Sequence, residues 1–345
     1  MAIKIEELLD VCRVPPGKKV DLQKDYDPGF AGEWVRKEDA GETLAEGTKL
    51  LAEEQEILYA QDNYALLMIL QAMDAAGKDS IIKHVMSGVN PQGVNVTPFK
   101  VPTSDELDHD YLWRNFIALP RRGHIGIFNR SYYEEVLVVR VHPQFLDGQK
   151  IPPRFKDEKI WKRRFEEINN FEKYLVNNGI PVLKIFLYVS KEEQKKRFLE
   201  RASRPEKNWK FSAGDIRERQ YWDQYMAAYE DVFYYTSTEW APWYVVPADK
   251  KWFTRIAVAA ILYHTLKSLN LAYPVVSEED QQAMLAAKAE LEREVGEKEV
   301  QSTDTPEEQT ALVESTPDAE SQVQSESEQA KNKKNGRKKK MNMSK

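Results

Sequence analysis

Residues 72–80, AMDAAGKDS, follow the apolar run LLMILQ and precede the helical pattern IIKHVM. In a strand, tight Gly-Lys turn and helix, the backbone N–H groups opening the helix can cradle a phosphate while a lysine neutralises its oxygens. Lys78 is that lysine, and the backbone of Ala75, Ala76, Gly77 and Asp79 supplies the cradle. The match to G-x-x-x-x-G-K-[ST] is imperfect, because Ala72 replaces the first Gly and Asp79 the Mg²⁺-binding Ser or Thr. An ordinary strand-to-helix turn with a solvated Lys78 is the competing reading. Asp74 favours the chemical one. A carboxylate beside a phosphate is repulsive unless a divalent cation lies between them, which makes Asp74 a candidate Mg²⁺ ligand; the alternative is an Asp that only stabilises the turn.

A second cluster follows the run HIGIF: Asn129, Arg130, then Ser131 as an N-cap with Glu134 three residues on. Phosphate-binding enzymes place a metal-associated acid at such a strand end. Asn129 can hold a metal-bound water but neutralises nothing, so Asp74 is expected to carry more of the metal load. The planar fork of Arg130 matches phosphoryl oxygens, with an ion pair to Glu134 or Glu135 as the alternative. Asp108-His109-Asp110 reads as a surface cluster, because consecutive helical residues point to different faces. The five His and one Cys have no zinc spacing, and no motif for a nucleophilic Ser or Cys occurs.

These residues need a scaffold that brings strand ends together. Short apolar runs at 64–71, 94–99, 124–128, 182–189 and 243–246 read as strands buried on both faces. Helical patterns at 43–61, 79–86, 105–118, 132–141, 157–177, 191–202, 215–234 and 252–270 alternate with them. That alternation predicts one α/β domain over 34–276, with a five-stranded parallel sheet between helical layers. Residues 1–33 read as an irregular arm packed on it, and Cys12 as the single thiol of a protein from a reducing compartment. Neither a signal peptide in MAIKIEELLD nor an apolar run long enough for a bilayer is found, so a cytoplasmic location away from membranes is expected.

Of 345 residues, 50 are Lys or Arg and 56 Asp or Glu, and most of the imbalance lies after residue 276. Residues 301–330 carry eight acids and no base, which predicts disorder, and 277–345 as a whole reads as a largely disordered charged tail. The tail reverses sign at 331–345 with KNKKNGRKKK, either a solvated end or a contact for polyanions. Within the nearly neutral core, 114–130, 154–164 and 191–219 are locally basic. The last breaks at Arg204-Pro205 and restarts at Ser212, which predicts a helical lid over about 197–219 able to close on phosphate and exclude water.

Several long segments in order are similar to the type 2 polyphosphate kinases, enzymes that move phosphoryl groups between inorganic polyphosphate and nucleotides. The resemblance spans about residues 12–272 and is carried by VDLQKDYDPGF, AMDAAGKDS, KHVMSGVNPQG, ELDHDYLWR, GIFNRSYYEEVLVVRVHP, NWKFSAGD and TEWAPWYVVPADKKW. It implies a three-layer P-loop kinase-like fold with catalytic residues Asp74, Lys78, Asn129 and Arg130. It further implies lid contacts to phosphate from Arg197, Arg201, Lys207 and Lys210, with Asp215 also in the lid and Glu134 and Asp215 toward nucleotide. The cofactor implied is Mg²⁺, for which Mn²⁺ can stand in. Asn129 together with Glu134 resembles the subgroup acting on nucleoside mono- and diphosphates. The implied partners are polyphosphate, AMP, ADP, ATP and guanine nucleotides, in a homo-oligomer. An ATP-dependent nucleoside monophosphate kinase and a non-catalytic nucleotide-binding module are the other functional readings.

Overall fold

The computed structural model describes residues 4–301. These residues divide into two units, one ending at Val275 and the other beginning at Val276. In the first, helices α1 (Ile5–Cys12) and α2 (Leu22–Asp25) form part of the segment expected to be irregular. Leu8, Cys12, Val14 and Leu22 are buried, and the Val14 N–H donates to the Trp243 carbonyl at 2.8 Å. The arm therefore owes its order to burial of apolar side chains on the core.

The sheet consists of β1 (Leu66–Gln71), β2 (Val94–Pro98), β3 (Ile125–Asn129), β4 (Val182–Tyr188) and β5 (Trp243–Pro247). Its order is β2-β3-β1-β4-β5, with every pairing parallel. β1 and β4 are buried at every position, as their apolar runs require, whereas β2 at the edge is largely exposed. Helix α3 (Ala40–Gln61) precedes β1, and α4 (Lys78–Val85) follows it. On the other side of the chain order come α5 (Trp113–Phe116), α6 (Val138–Val141), α7 (Gln144–Asp147) and α8 (Ile160–Asn177). Helices α9 (Lys191–Ser203), α10 (Ala213–Glu218), α11 (Trp222–Thr236) and α12 (Lys251–Lys267) complete the unit. α12 packs along α3 and against α4, while α11 packs on α8 and α6, giving two helical groups about one sheet.

Three expected helices are broken, among them 215–234, which a 3₁₀ turn at Arg219–Tyr221 divides between α10 and α11. Over 105–118 only a 3₁₀ turn at Glu106–Asp108 and the short α5 form. Here Asp110 Oδ1 accepts from the Leu112 N–H at 2.9 Å and Thr103 Oγ1 from the Glu106 N–H at 3.2 Å, local bonds that compete with a continuous helix. Over 132–141 a 3₁₀ segment, Tyr132–Val136, is cut from α6 at Leu137, with φ −114° and ψ −83°. The Tyr132 and Tyr133 hydroxyls both donate to buried Glu172, at 2.9 and 2.7 Å, and this tertiary anchorage overrides helical propensity.

In the second unit α13 (Glu278–Gln301) is helical, within the tail expected to be largely disordered. Its Ala, Leu, Glu, Gln and Lys are strong helix formers. Ser277 Oγ accepts from the Asp280 N–H at 3.1 Å and donates to Asp280 Oδ2 at 2.7 Å, and acids fill the first turn. The expectations for 302–330 and for the basic end at 331–345 lie outside the described residues.

Candidate active site

The parallel register sets Leu70 of β1 opposite Asn129 of β3, so the two strands end level. Their following turns lie at the point where the chain passes from one side of β1 to the other, with β3 on one flank and β4 on the other. In the first turn Gly77 takes φ +117°, which only glycine adopts without strain, and Ala75 sits at φ +63°. In the second, Arg130 is left-handed at φ +67°, and its N–H donates to the Leu70 carbonyl at 3.0 Å. Each of the two adjacent strands is thus followed by a strained non-glycine residue, Ala75 after β1 and Arg130 after β3.

A cleft of about 770 Å³ opens here, bordered by Asp74, Ala75, Gly77, Lys78, Asp79, Asn129 and Arg130. Nine Lys and Arg line it against three carboxylates. Lys78 Nζ donates to the Ala72 carbonyl at 2.8 Å, folded back across its own turn. Although the residue is only partly covered, its ammonium is held against the turn; desolvation first, then neighbouring Arg130, pushes its pKa down to about 8. Arg130 Nη2 donates to Asp74 Oδ1 at 2.8 Å and its Nη1 lies 3.5 Å from Glu134 Oε2. Glu134, ahead of Asp74, holds the guanidinium firmly protonated. Asn129 Nδ2 donates to Asp79 Oδ1 at 3.0 Å, tying the second turn to the first.

The lid is built as its composition suggests. α9 ends at Ser203, a 3₁₀ segment spans Pro205–Lys210, and α10 is capped by Ser212, whose Oγ accepts from the Gly214 N–H at 3.1 Å. Arg201, Lys207 and Lys210 line the cleft. Arg201 is 3.9 Å from Asp215, Lys210 is 3.8 Å from Asp79, and Lys207 pairs with Glu200. Trp209 is 77% exposed on the same wall.

Arg197 occupies a different position from the one expected. It is only 4% exposed. Nη1 donates to the Ala75 and Ala76 carbonyls at 3.1 and 2.8 Å, Nη2 to those of Ala248 and Asp249 at 2.6 and 3.1 Å, and Nε to Glu193 at 2.9 Å. A guanidinium has five N–H donors, and all five are engaged. Arg197 therefore clamps the first turn to the loop after β5, and none of its donors is left for a phosphate. Unlike Arg197, which edges the cleft with its donors turned to carbonyls, Ala76, Glu134 and Asp215 do not border it. Ala76 is buried under Arg197, Glu134 lies behind Arg130, and desolvation raises the pKa of Asp215, with Asp74 adding to the effect.

The sequence reading passed over Gln194, Lys100, Lys251, Arg255 and Ser80. Gln194 Nε2 donates to the Asp74 carbonyl at 2.9 Å, and the other four line the cleft. A signal existed for two of them. Lys100 follows β2 and Lys251 follows β5, and in open parallel sheets ligands gather at the carboxyl ends of strands.

Among the described residues no group of three or more His, Cys, Asp or Glu could hold a metal ion. The donor set nonetheless fits Mg²⁺, which is commonly bound through one or two carboxylates, with water and substrate phosphates completing its shell; Asp74 and Asp79 both face the cleft. No helix among these residues is long and apolar enough to cross a membrane.

A family model described as polyphosphate kinase 2 matches residues 35–274. The chain is 48% identical over 283 residues to an ADP-polyphosphate phosphotransferase of Rhodopseudomonas palustris, covering 81% of this chain and 96% of that one. It is 45% identical over 263 residues to an AMP/ADP-polyphosphate phosphotransferase of Meiothermus ruber, covering 76% and 94%. The crystal structure of polyphosphate kinase 2 from Arthrobacter aurescens TC1 superposes with a TM-score of 0.73 at 42% identity, covering 83% of this chain and 98% of that one.

Proposed function

The chain belongs to the polyphosphate kinase 2 family, and on that premise we propose that its cleft transfers the terminal phosphoryl group of inorganic polyphosphate to ADP and AMP, reversibly. The observation that carries this reading is the gathering of nine cationic side chains around one phosphate-binding turn in a core that is otherwise nearly neutral. An oxygen of the acceptor's terminal phosphate attacks the end phosphorus of the donor. The bond from that phosphorus to the bridging oxygen breaks, and the shortened chain keeps the bridging oxygen as a new terminal one. Acceptor phosphates are already ionised near neutral pH, so the reaction needs positioning and charge neutralisation more than a general base.

In this reading the N–H groups of residues 75–79 and the Lys78 ammonium hold the transferring phosphoryl. Arg130 grips it from the β3 side and is aimed by Asp74 and Glu134. Asn129 holds Asp79 in place, while Arg201, Lys207 and Lys210 close over the donor from the lid. Arg197 holds the turn's shape. Mg²⁺, or Mn²⁺ in its place, would sit on Asp74 with Asp79 near it and would neutralise phosphate oxygens. Glu134 bears on the acceptor through Arg130, and Asp215 through Arg201. Guanine nucleotides as further acceptors, assembly as a homo-oligomer, a cytoplasmic location and a polyanion contact at 331–345 complete the reading. Removal of 301–345 should weaken binding to polyphosphate or nucleic acid; unchanged binding would dismiss the last point.

The decisive experiment exchanges donors. Purified protein is incubated with AMP or ADP and Mg²⁺, supplied with polyphosphate or with ATP, and the products are separated. Product formed from polyphosphate supports the proposal. With AMP, transfer from ATP alone would make the chain a nucleoside monophosphate kinase, and nucleotide binding without turnover on either donor would make it a binding module.

A further inference from the structure

A hollow of about 490 Å³ lies between the amino-terminal arm and the carboxyl ends of β4 and β5, and it shares no bordering residue with the cleft. The arm contributes Asp25, Tyr26 and Asp27, from the segment VDLQKDYDPGF, to which phosphoryl transfer gives no role. The strands contribute Tyr188 and, from β5, Val245 and Pro247; the parallel register sets Tyr188 opposite Pro247.

Tyr188 is the first indication of what this hollow takes. It is only 6% exposed, and among the described residues its hydroxyl has no hydrogen-bond partner. A phenol so deeply buried ordinarily finds one. Desolvation first, then the charge of Glu230, pushes its pKa up to about 12, with Asp249, Asp21 and Asp27 adding to the effect, so the group stays a neutral hydroxyl.

The second indication is uncompensated negative charge. Asp25 Oδ2 accepts from the Asp21 N–H at 2.9 Å and Asp27 Oδ1 from the Gly29 N–H at 2.8 Å, which leaves one oxygen of each carboxylate unused. Among the described residues neither has a cationic side chain within 4 Å, and the same holds for Glu230 and Asp249 nearby. Lys24 borders the hollow, but its ammonium is held by Asp21 at 2.5 Å.

We infer that this hollow binds a linear polyamine, whose ammonium groups donate to Asp25, Asp27 and the Tyr188 hydroxyl. Free carboxylate oxygens and a hydroxyl are the acceptors an ammonium needs. Among the described residues no three acids gather closely enough to hold a metal ion, so the separated acceptors suit a cation whose charges are themselves separated. Val245 and Pro247 offer apolar surface to the methylenes between those charges, and Tyr26 and Phe30 supply aromatic rings, whose faces attract ammonium ions. The site stands apart from the polyphosphate reading, and either can fail without the other.

Titration calorimetry with spermidine, on the full chain and without polyphosphate, tests the inference. Wild-type protein should bind saturably, and Asp25→Asn and Asp27→Asn should each raise Kd about tenfold, the effect of discharging one acceptor of an ammonium. In both variants the amide oxygen can keep the backbone bond, so the arm stays in place, and an unchanged urea midpoint checks this. Tyr188→Phe removes the hydroxyl alone, should raise Kd by a smaller factor, and decides the matter should either carboxamide disturb the arm. No saturable binding, or the same Kd in all four proteins, overturns the inference, the latter by placing spermidine on acids elsewhere, such as those of residues 301–330. Magnesium chloride that displaces spermidine mole for mole overturns it as well, since the site would then be one for a metal ion.

Discussion

Lys78 meets two opposed demands, since it must be charged to hold phosphate and yet is desolvated beside Arg130. With its pKa pushed down to about 8, the empty enzyme loses this ammonium as pH rises through that value. We expect kcat/KM, which reports the free enzyme, to fall on an alkaline limb near pH 8, and Lys78→Arg to abolish that limb. The stability sign is opposite. Between about 8 and the ordinary 10.5 the unfolded chain binds this proton more tightly, so Lys78 makes the fold more stable as pH rises through the window. Lys78→Ala should lower turnover by about a hundredfold or more while keeping a cooperative unfolding transition. Near-normal transfer in that variant would remove the role assigned to the lysine.

Arg197 offers the contrasting prediction at the same scale. Its five donors hold carbonyls and Glu193, so Arg197→Ala should cost roughly 3 kcal/mol of unfolding free energy as well as activity, measured by urea denaturation. An Arg197→Ala enzyme of wild-type stability, with only KM for polyphosphate raised, would return the residue to the substrate. From sequence, Arg197 is a basic lid residue expected on phosphate, and its true targets stay hidden because carbonyl and phosphate oxygens ask for the same donor. Only the approach of residues 75–76 and 248–249 to one point decides between them.

Among the elements, the strands and the lid were legible because their signals are local. Each predicted strand matches the observed one to within a residue or two at its ends; for β1 and β4 this is because two-sided burial demands an unbroken apolar run, whereas β2 at the edge is largely exposed. The lid's break at Pro205 and its restart at Ser212 follow from proline geometry and capping chemistry. Ser212→Ala should therefore loosen α10 by about 1 kcal/mol. Amide exchange should quicken at 213–218 while the global unfolding midpoint stays in place; a shift in that midpoint would mean that the lid folds as one unit with the core. Of the misjudged helices, that over 105–118 gives way to local side-chain bonds, whereas that over 132–141 fails for a non-local reason. In the segment after Ser131, two hydroxyls reach across to Glu172, some forty positions away, and no window of helical periodicity contains that partner.

At the scale of the molecule, the sheet is braced by a polar knot that the apolar pattern of β4 conceals. Lys184 and Glu172 are fully buried, paired at 2.6 Å, and Lys184 also donates to the Thr236 carbonyl at 2.6 Å. Glu172→Ala would strand that ammonium and two tyrosine hydroxyls, costing about 3 to 5 kcal/mol, to be read from urea unfolding. A loss below about 1 kcal/mol would mean that water enters and solvates the site. Charge acts over the same scale. A polyanion held in a cationic cleft should bind more weakly as salt rises, with KM for long polyphosphate climbing more steeply than KM for ADP. Equal salt dependence would argue against a long anionic donor.

Chain-local chemistry dictated the alternation of strands and helices, the Gly-Lys turn, the arginine after β3 and the basic flap, because propensity, periodicity and capping act within a few residues. Three-dimensional packing alone assigned partners. It bound Asp74 to Arg130 and Asn129 to Asp79, set Arg197 behind the loop, and brought Lys100, Lys251 and Arg255 into the cleft from distant strand ends and helix α12. The reason is geometric. A parallel sheet gathers the carboxyl ends of its strands at one edge irrespective of their separation in the chain, and the charges that meet there depend on strand order and register, which no single stretch of sequence contains.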